Sequence, residues 1–228
     1  STHLHEVLST EEAIDAKAPV TIKSSPEVVF LDNLPRLIIL YSGPTEMPYS
    51  SDKARVYDSN FKFFLRHGLP CSYEDTPRLT AQVVISLTAS TAAFYADLIT
   101  TYNRSCGDLV VMERKNKCYD METVRLFLET KRALVKSDKF SLIYVNCGML
   151  GPLLPINRDH TIFPFWPTLY LSKLSENVKL FGQILNCGGK SGIKHAHVGS
   201  ELWATDSDGL LAISDSDAVY DCKESQLN

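Results

Sequence analysis

Short apolar runs alternate with stretches of helical period along the first two thirds of the chain. RLIILYS at 36–42 sets five apolar residues in a row, the mark of a strand buried on both faces, and Gly43-Pro44 ends it. Val56, Phe61, Phe64 and Leu65 then recur at roughly helical spacing over 54–67, and His67-Gly68 supplies a C-terminal stop. QVVISLT at 82–88 predicts a second strand, and Ser90 with Thr91 can cap a helix reaching about Tyr102. DLVVME at 108–113 predicts a third strand. From Asp120, a good N-cap residue, Met121, Val124 and Leu128 mark an amphipathic helix, and FSLIYV at 140–145 predicts a fourth strand.

Repeated strand and helix alternation with right-handed crossovers implies an α/β, Rossmann-like fold: a mixed, mainly parallel sheet with helices on both faces. Beyond Pro155 the rhythm breaks. HTIFPFWPTLYLSKL is aromatic and proline-rich, VKLFGQIL at 178–185 predicts another strand, and SELWAT at 200–205 one more. The chain thus divides into an arm over 1–35, one α/β domain over 36–213 and a polar, acidic tail over 214–228. Within the domain, 36–155 forms the first half and 156–213 the second.

The 228 residues can bury a sizeable core, and 44% apolar with 22% charged residues is ordinary for a globular protein. A formal charge of −4, with basic residues scattered, leaves no footprint for nucleic acid as the main partner. No apolar run approaches the roughly 18 residues of a membrane helix. The sequence begins with Ser1, which is compatible with an anchor or targeting segment upstream. Six cysteines without CxxC or Cys/His spacing read as buried thiols with one or two bridges rather than a zinc site. Asn103-Arg104-Ser105 is a glycosylation sequon and points toward the secretory pathway, in the Golgi lumen or outside the cell.

Two polar clusters, Arg114 to Asp120 and Asn146 to Pro152, each follow a predicted strand, at the edge where open α/β sheets bind ligands. In the first, Arg114 suits a phosphate and Asn116 or Asp120 suits ribose or base donors. The alternative is a turn in which Asp120 only caps its helix. In the second, Gly148 and Gly151 allow close backbone approach to a ligand, although any Gly/Pro turn after a strand looks similar. Cys147 could act as a nucleophile with His195 or His197 as base, or be a buried thiol. His195 and His197 with Asp206 and Asp208 could supply a general base or metal ligands, whereas Asp206, Asp208 and Gly209 also read as a turn or helix cap.

Taken in order, RKNKCYD at 114–120, IYVNCGMLGPLLP at 143–155, NVKLFGQILNC at 177–187 and HVGSELWATDSDGL at 197–210 resemble a set of eukaryotic glycosyltransferase-like proteins, and FKFFLRHGL at 61–69 fits the same set. The chain is more distantly similar to bacterial rhamnan-synthesis glycosyltransferases and to GT-A nucleotide-sugar transferases. That resemblance implies sugar transfer from a nucleotide-sugar donor to a glycan or protein acceptor, with 36–155 binding the donor and 156–213 shaping the acceptor side. It places Arg114, Asn116 and Asp120 at the donor nucleotide, and Asn146, Cys147, Gly148 and Gly151 under the diphosphate. Asp206 is then the preferred catalytic base, with His197 second. GT-A enzymes usually hold a divalent cation, Mn²⁺ or Mg²⁺, on an acidic motif, where this chain reads Asn146-Cys147-Gly148. The resemblance therefore leaves three readings: metal-independent transfer with Arg114, a lysine and backbone amides facing the leaving group, a non-catalytic glycan- or protein-binding module, or a Cys/His hydrolase.

Overall fold

In the structure, a computed structural model, residues 36–72, 81–106, 109–115, 119–149, 166–182, 185–186, 197–198 and 201–215 are described. Strand β1 (Arg36–Ser42) leads into helix α1 (Asp52–His67), followed by β2 (Ala81–Thr88), α2 (Ala89–Cys106) and β3 (Leu109–Arg114). Next come α3 (Tyr119–Thr130), α4 (Arg132–Ser137) and β4 (Phe140–Asn146). The second half adds α5 (Pro167–Leu171), β5 (Leu180–Gly182), β6 (Leu185–Asn186), β7 (His197–Val198), β8 (Leu202–Asp206) and α6 (Ser207–Asp215).

The main sheet has six strands in the order β3-β2-β1-β4-β8-β5. The first four are parallel, and β8 runs antiparallel to both β4 and β5. The mixed, mainly parallel Rossmann-like sheet expected from the patterning is therefore present. The predicted strand at 178–185 is two elements. β5 closes the edge of the main sheet, whereas β6 pairs with β7 in a separate two-stranded ribbon. Through β8, which pairs directly with β4, the second half of the chain adds strands to the first half's sheet.

Strand alternation divides the core in two. On one face Leu37, Ile39 and Tyr41 of β1 pack with Phe61, Phe64 and Leu65 of α1, Tyr95 and Ile99 of α2, and Trp166 and Leu171 at α5. On the other, Ile38 and Leu40 pack with Val124, Phe127 and Leu128 of α3, Val135 of α4 and Leu210 of α6. Each such fully buried side chain contributes about 1.5–3 kcal/mol relative to exposure. Trp166 ties the second half to the first by donating its indole N–H to the Gly68 carbonyl at 3.0 Å. Tyr95 joins α2 to α1 through Asp58 at 2.8 Å.

Helix α1 begins where Ser51 accepts from the Ala54 N–H at 3.0 Å, and it ends with the Gly68 N–H on the Phe64 carbonyl at 2.7 Å. Of the described cysteines, Cys71 is held in a disulfide and Cys147 is a buried thiol outside any disulfide. No described helix is long and apolar enough to cross a membrane.

At the β8–α6 junction, Thr205 donates its hydroxyl to the Lys179 carbonyl at 2.6 Å, and a Cβ on Gly209 would collide with both groups. Gly209→Ala is expected to destabilise the domain by about 1–3 kcal/mol through overpacking. Chemical denaturation would read this, and an unchanged midpoint would show that the junction has slack the packing does not indicate.

Candidate functional site

The chain leaves β1 toward β2 on one side, and returns from β3 to β4 on the other. The strand order therefore reverses between β1 and β4. At such a switch point the connections leave in opposite directions and open a crevice beyond the carboxyl ends of the strands, where α/β sheets bind ligands. The residues at that edge are Ser42-Gly43-Pro44 after β1 and Asn146-Cys147-Gly148 after β4, with Ser42 in register with Asn146. The turns lie about a hundred residues apart in sequence.

The turn after β1 is tied down from four sides. The Ser42 carbonyl accepts from the Cys147 N–H at 2.9 Å, and the Gly43 carbonyl from Arg114 Nη2 at 2.7 Å. The Pro44 carbonyl accepts from Thr91 Oγ1 at 2.9 Å, and the Thr45 carbonyl from Thr88 Oγ1 at 3.3 Å. Gly43 also donates its N–H to the Ser86 carbonyl at 2.9 Å. It lies so close to β2 that a Cβ there would sit 2.6 Å from Leu87 Cδ2, which is why glycine occupies the position.

The turn after β4 is an Asx turn. Asn146 Oδ1 accepts from the Gly148 N–H at 2.7 Å, and the Met149 N–H reaches the Asn146 carbonyl at 3.1 Å. From α1, Asn60, only 4% exposed, donates to the Cys147 carbonyl at 2.9 Å. Gly148 is exposed, and Tyr57 of α1 lies across it, with Lys53 Nζ 5.3 Å from the Tyr57 ring centre. A glycine backbone, an aromatic ring and an ammonium group thus share this rim of the crevice.

The sequence-predicted residues fall in different places. Arg114 is at the end of β3 but is only 4% exposed. Its Nη1 donates to Ser42 Oγ at 2.5 Å and to Thr123 Oγ1 at 2.6 Å, so its terminal nitrogens serve protein oxygens beneath the β1 turn. Asn146, Cys147 and Gly148 come together with that turn. The Cys147 thiol is buried in the apolar cluster with Tyr41, Phe61 and Trp166, a setting that disfavours a thiolate nucleophile. Asp120 lies in the first turn of α3, with its side chain outside the described residues. Asn116, Gly151 and His195 also lie outside them. His197 pairs through its backbone with Asn186 in the small ribbon, and its side chain is outside the described residues.

Asp206, expected as the catalytic base, lies away from this crevice. Asp206 ends β8, and because β8 runs antiparallel to β4 it sits opposite Ser141, at the start of β4 rather than its end. Roughly 16 Å of strand separates that position from Asn146. There Asp206 accepts from the Gly209 N–H at 2.8 Å and pairs with Lys179 at 2.7 Å, while Asp208 pairs with Lys139 at 2.6 Å. Those cations hold the Asp208 carboxyl below its ordinary pKa, and the acceptors likewise raise that of Lys179. Both carboxylates therefore brace the β8–α6 junction.

The start of β8 carries a carboxylate that sequence reasoning passed over. The Glu201 carbonyl accepts from the Asn146 N–H at 2.8 Å, and Glu201 Oε2 is buried with no hydrogen-bond partner among the described residues. A buried, unpaired carboxylate oxygen is costly, which singles it out chemically. Nothing in SELWAT distinguishes Glu201 from a solvated strand-edge residue. Asn60 was equally illegible, because its partner is 87 positions away. Among the described residues no group of three or more His, Cys, Asp or Glu could hold a metal ion. Asn146-Cys147-Gly148 supplies an amide, a buried thiol and no carboxylate, so the described donors do not fit a protein-held divalent cation after β4.

Asn60→Ala removes the buried donor to the Cys147 carbonyl and is expected to cost about 1–3 kcal/mol, with Asn60→Asp costing more because it sets an acceptor against an acceptor. Urea unfolding of both variants checks this. Stability equal to the parent in each would mean that Asn60 does not hold the β4 turn.

No family model matches the chain, and no curated protein matches it. Among solved structures it is similar to a nucleoside-diphosphate-sugar pyrophosphorylase from Vibrio cholerae RC9, at 12% identity and a TM-score of 0.35, over 80% of this chain and 78% of that one. A likeness at that level does not fix an activity.

Proposed function

We propose that this domain is a GT-A-like glycosyltransferase that binds a nucleotide sugar in the crevice between the β1 and β4 turns and transfers the sugar to a glycan or protein acceptor. The observation that carries the reading is the convergence of two polar turns at the strand-order reversal, with four successive carbonyls of the β1 turn drawn into the protein. Carbonyl oxygens facing a crevice repel phosphate; here they are occupied from behind. In this reading Gly148 and Asn146 lie under the diphosphate, Lys53 offsets its charge, Tyr57 offers a stacking face, and Asn116 and Asp120 meet the nucleoside.

Glu201 replaces Asp206 as the base in this reading. It takes the proton of the acceptor hydroxyl as that oxygen bonds to the sugar's anomeric carbon, and the bond to the nucleoside diphosphate breaks. A second reading, a non-catalytic binding module, is favoured by one observation: the two acidic residues of WATDSD act as braces at the far edge.

Calorimetry of the domain with UDP, GDP, CMP and dTDP sugars, each with and without Mn²⁺, separates these readings. Binding of one donor class is expected, with stabilisation of about 2.7 kcal/mol at a hundredfold excess over Kd. Glu201→Gln is expected to keep donor affinity and lose transfer. Absence of binding by every donor would favour the binding module, and undiminished transfer in Glu201→Gln would remove that residue from the mechanism.

A further inference from the structure

Arg114 emerges from β3 yet ends beneath the turn of β1, two strands away across β2. At a strand spacing of roughly 4.8 Å, that is a span of about 10 Å, which an extended arginine covers only together with the hydrogen bond at its tip. Its two terminal nitrogens land on three oxygens. Nη2 meets the Gly43 carbonyl, and Nη1 meets Ser42 Oγ and Thr123 Oγ1, while Thr123 in turn donates to Ser42 Oγ at 3.1 Å. Ser42, Thr123 and Arg114 are 1%, 0% and 4% exposed. A planar, permanently charged fork suits this geometry, and the ammonium of lysine cannot hold the same oxygens in one plane.

We propose that Arg114 is a positioning residue: it sets the Ser42–Thr45 turn as the floor of the nucleotide crevice and acts on the ligand only through that turn, with Thr123 fixing its guanidinium. The proposal rests on the reading of the crevice as a nucleotide site. It differs from a direct phosphate contact, because Thr123, on α3 and fully buried, shares the work without reaching any ligand. Arg114 neutralises carbonyl charge at Gly43 from behind, whereas Thr91 and Thr88 do so at Pro44 and Thr45 with neutral hydroxyls. Loss of Arg114 therefore frees the first half of the turn more than the second.

The test combines amide hydrogen exchange over 42–46 with UDP and GDP titrations of Arg114→Lys, Thr123→Val and the double variant. Both single variants are expected to exchange faster over that segment while β1 itself stays protected. Each is expected to bind nucleotide about tenfold more weakly, a loss typical of one charge-assisted hydrogen bond. The double variant is expected to be little worse than Arg114→Lys, since the two residues act as one unit. Unchanged exchange over 42–46 in a folded Arg114→Lys variant overturns the proposal, and if affinity falls nonetheless, Arg114 touches the ligand directly. Full nucleotide affinity in Thr123→Val also overturns it. If the parent binds neither UDP nor GDP, the titrations are run with CMP and dTDP, and failure of all four ends the nucleotide reading while the exchange arm still decides whether Arg114 holds the turn.

Discussion

Where β1 stops pairing, its carbonyls still have to be satisfied, and the chain cannot do this locally because Pro44 has no N–H and Gly43 gives its own to Ser86. The solution recruits β4, β3, α2 and β2, one element for each carbonyl from Ser42 to Thr45. A turn held this way cannot move without disturbing four elements. The same bonds that close the core at this edge shape the crevice above it, so packing and site geometry are one construction.

The antiparallel course of β8 separates two kinds of carboxylate. Its start lies beside Asn146, and its end lies beside Ser141 at the other edge. Glu201 at the start is buried on one oxygen without a partner among the described residues, whereas Asp206 and Asp208 at the end are paired with Lys179 and Lys139, and Asp206 caps α6. A buried polar atom without a partner is costly, so the two ends of β8 differ in how their carboxylates are satisfied.

Buried strands were plain in the sequence because continuous apolar runs admit few other fates: RLIILYS, QVVISLT and FSLIYV match β1, β2 and β4 to within a residue. The helices after them followed from period and caps. Less visible were α4 and α5, too short to show a period, and the break of VKLFGQIL into β5 and β6, which depends on where β8 begins.

Site residues were legible only in part. Glycine and asparagine after an apolar strand announce a turn, and the Asn146–Gly148 turn is there, since Asx geometry is set within three residues. Which turn it would meet, and that Arg114 would cross beneath β2 to hold Ser42, depended on strand order. The direction of β8, which sent Asp206 to the far edge and brought Glu201 to the near one, depended on pairing. Local sequence thus determined what is buried, where the chain turns and which residues can cap, because those are energies of neighbours. Tertiary structure alone decided which polar groups face one another, because a hydrogen bond spanning seventy or eighty residues, such as Arg114 to Ser42 or Asn60 to Cys147, has no signature at either end.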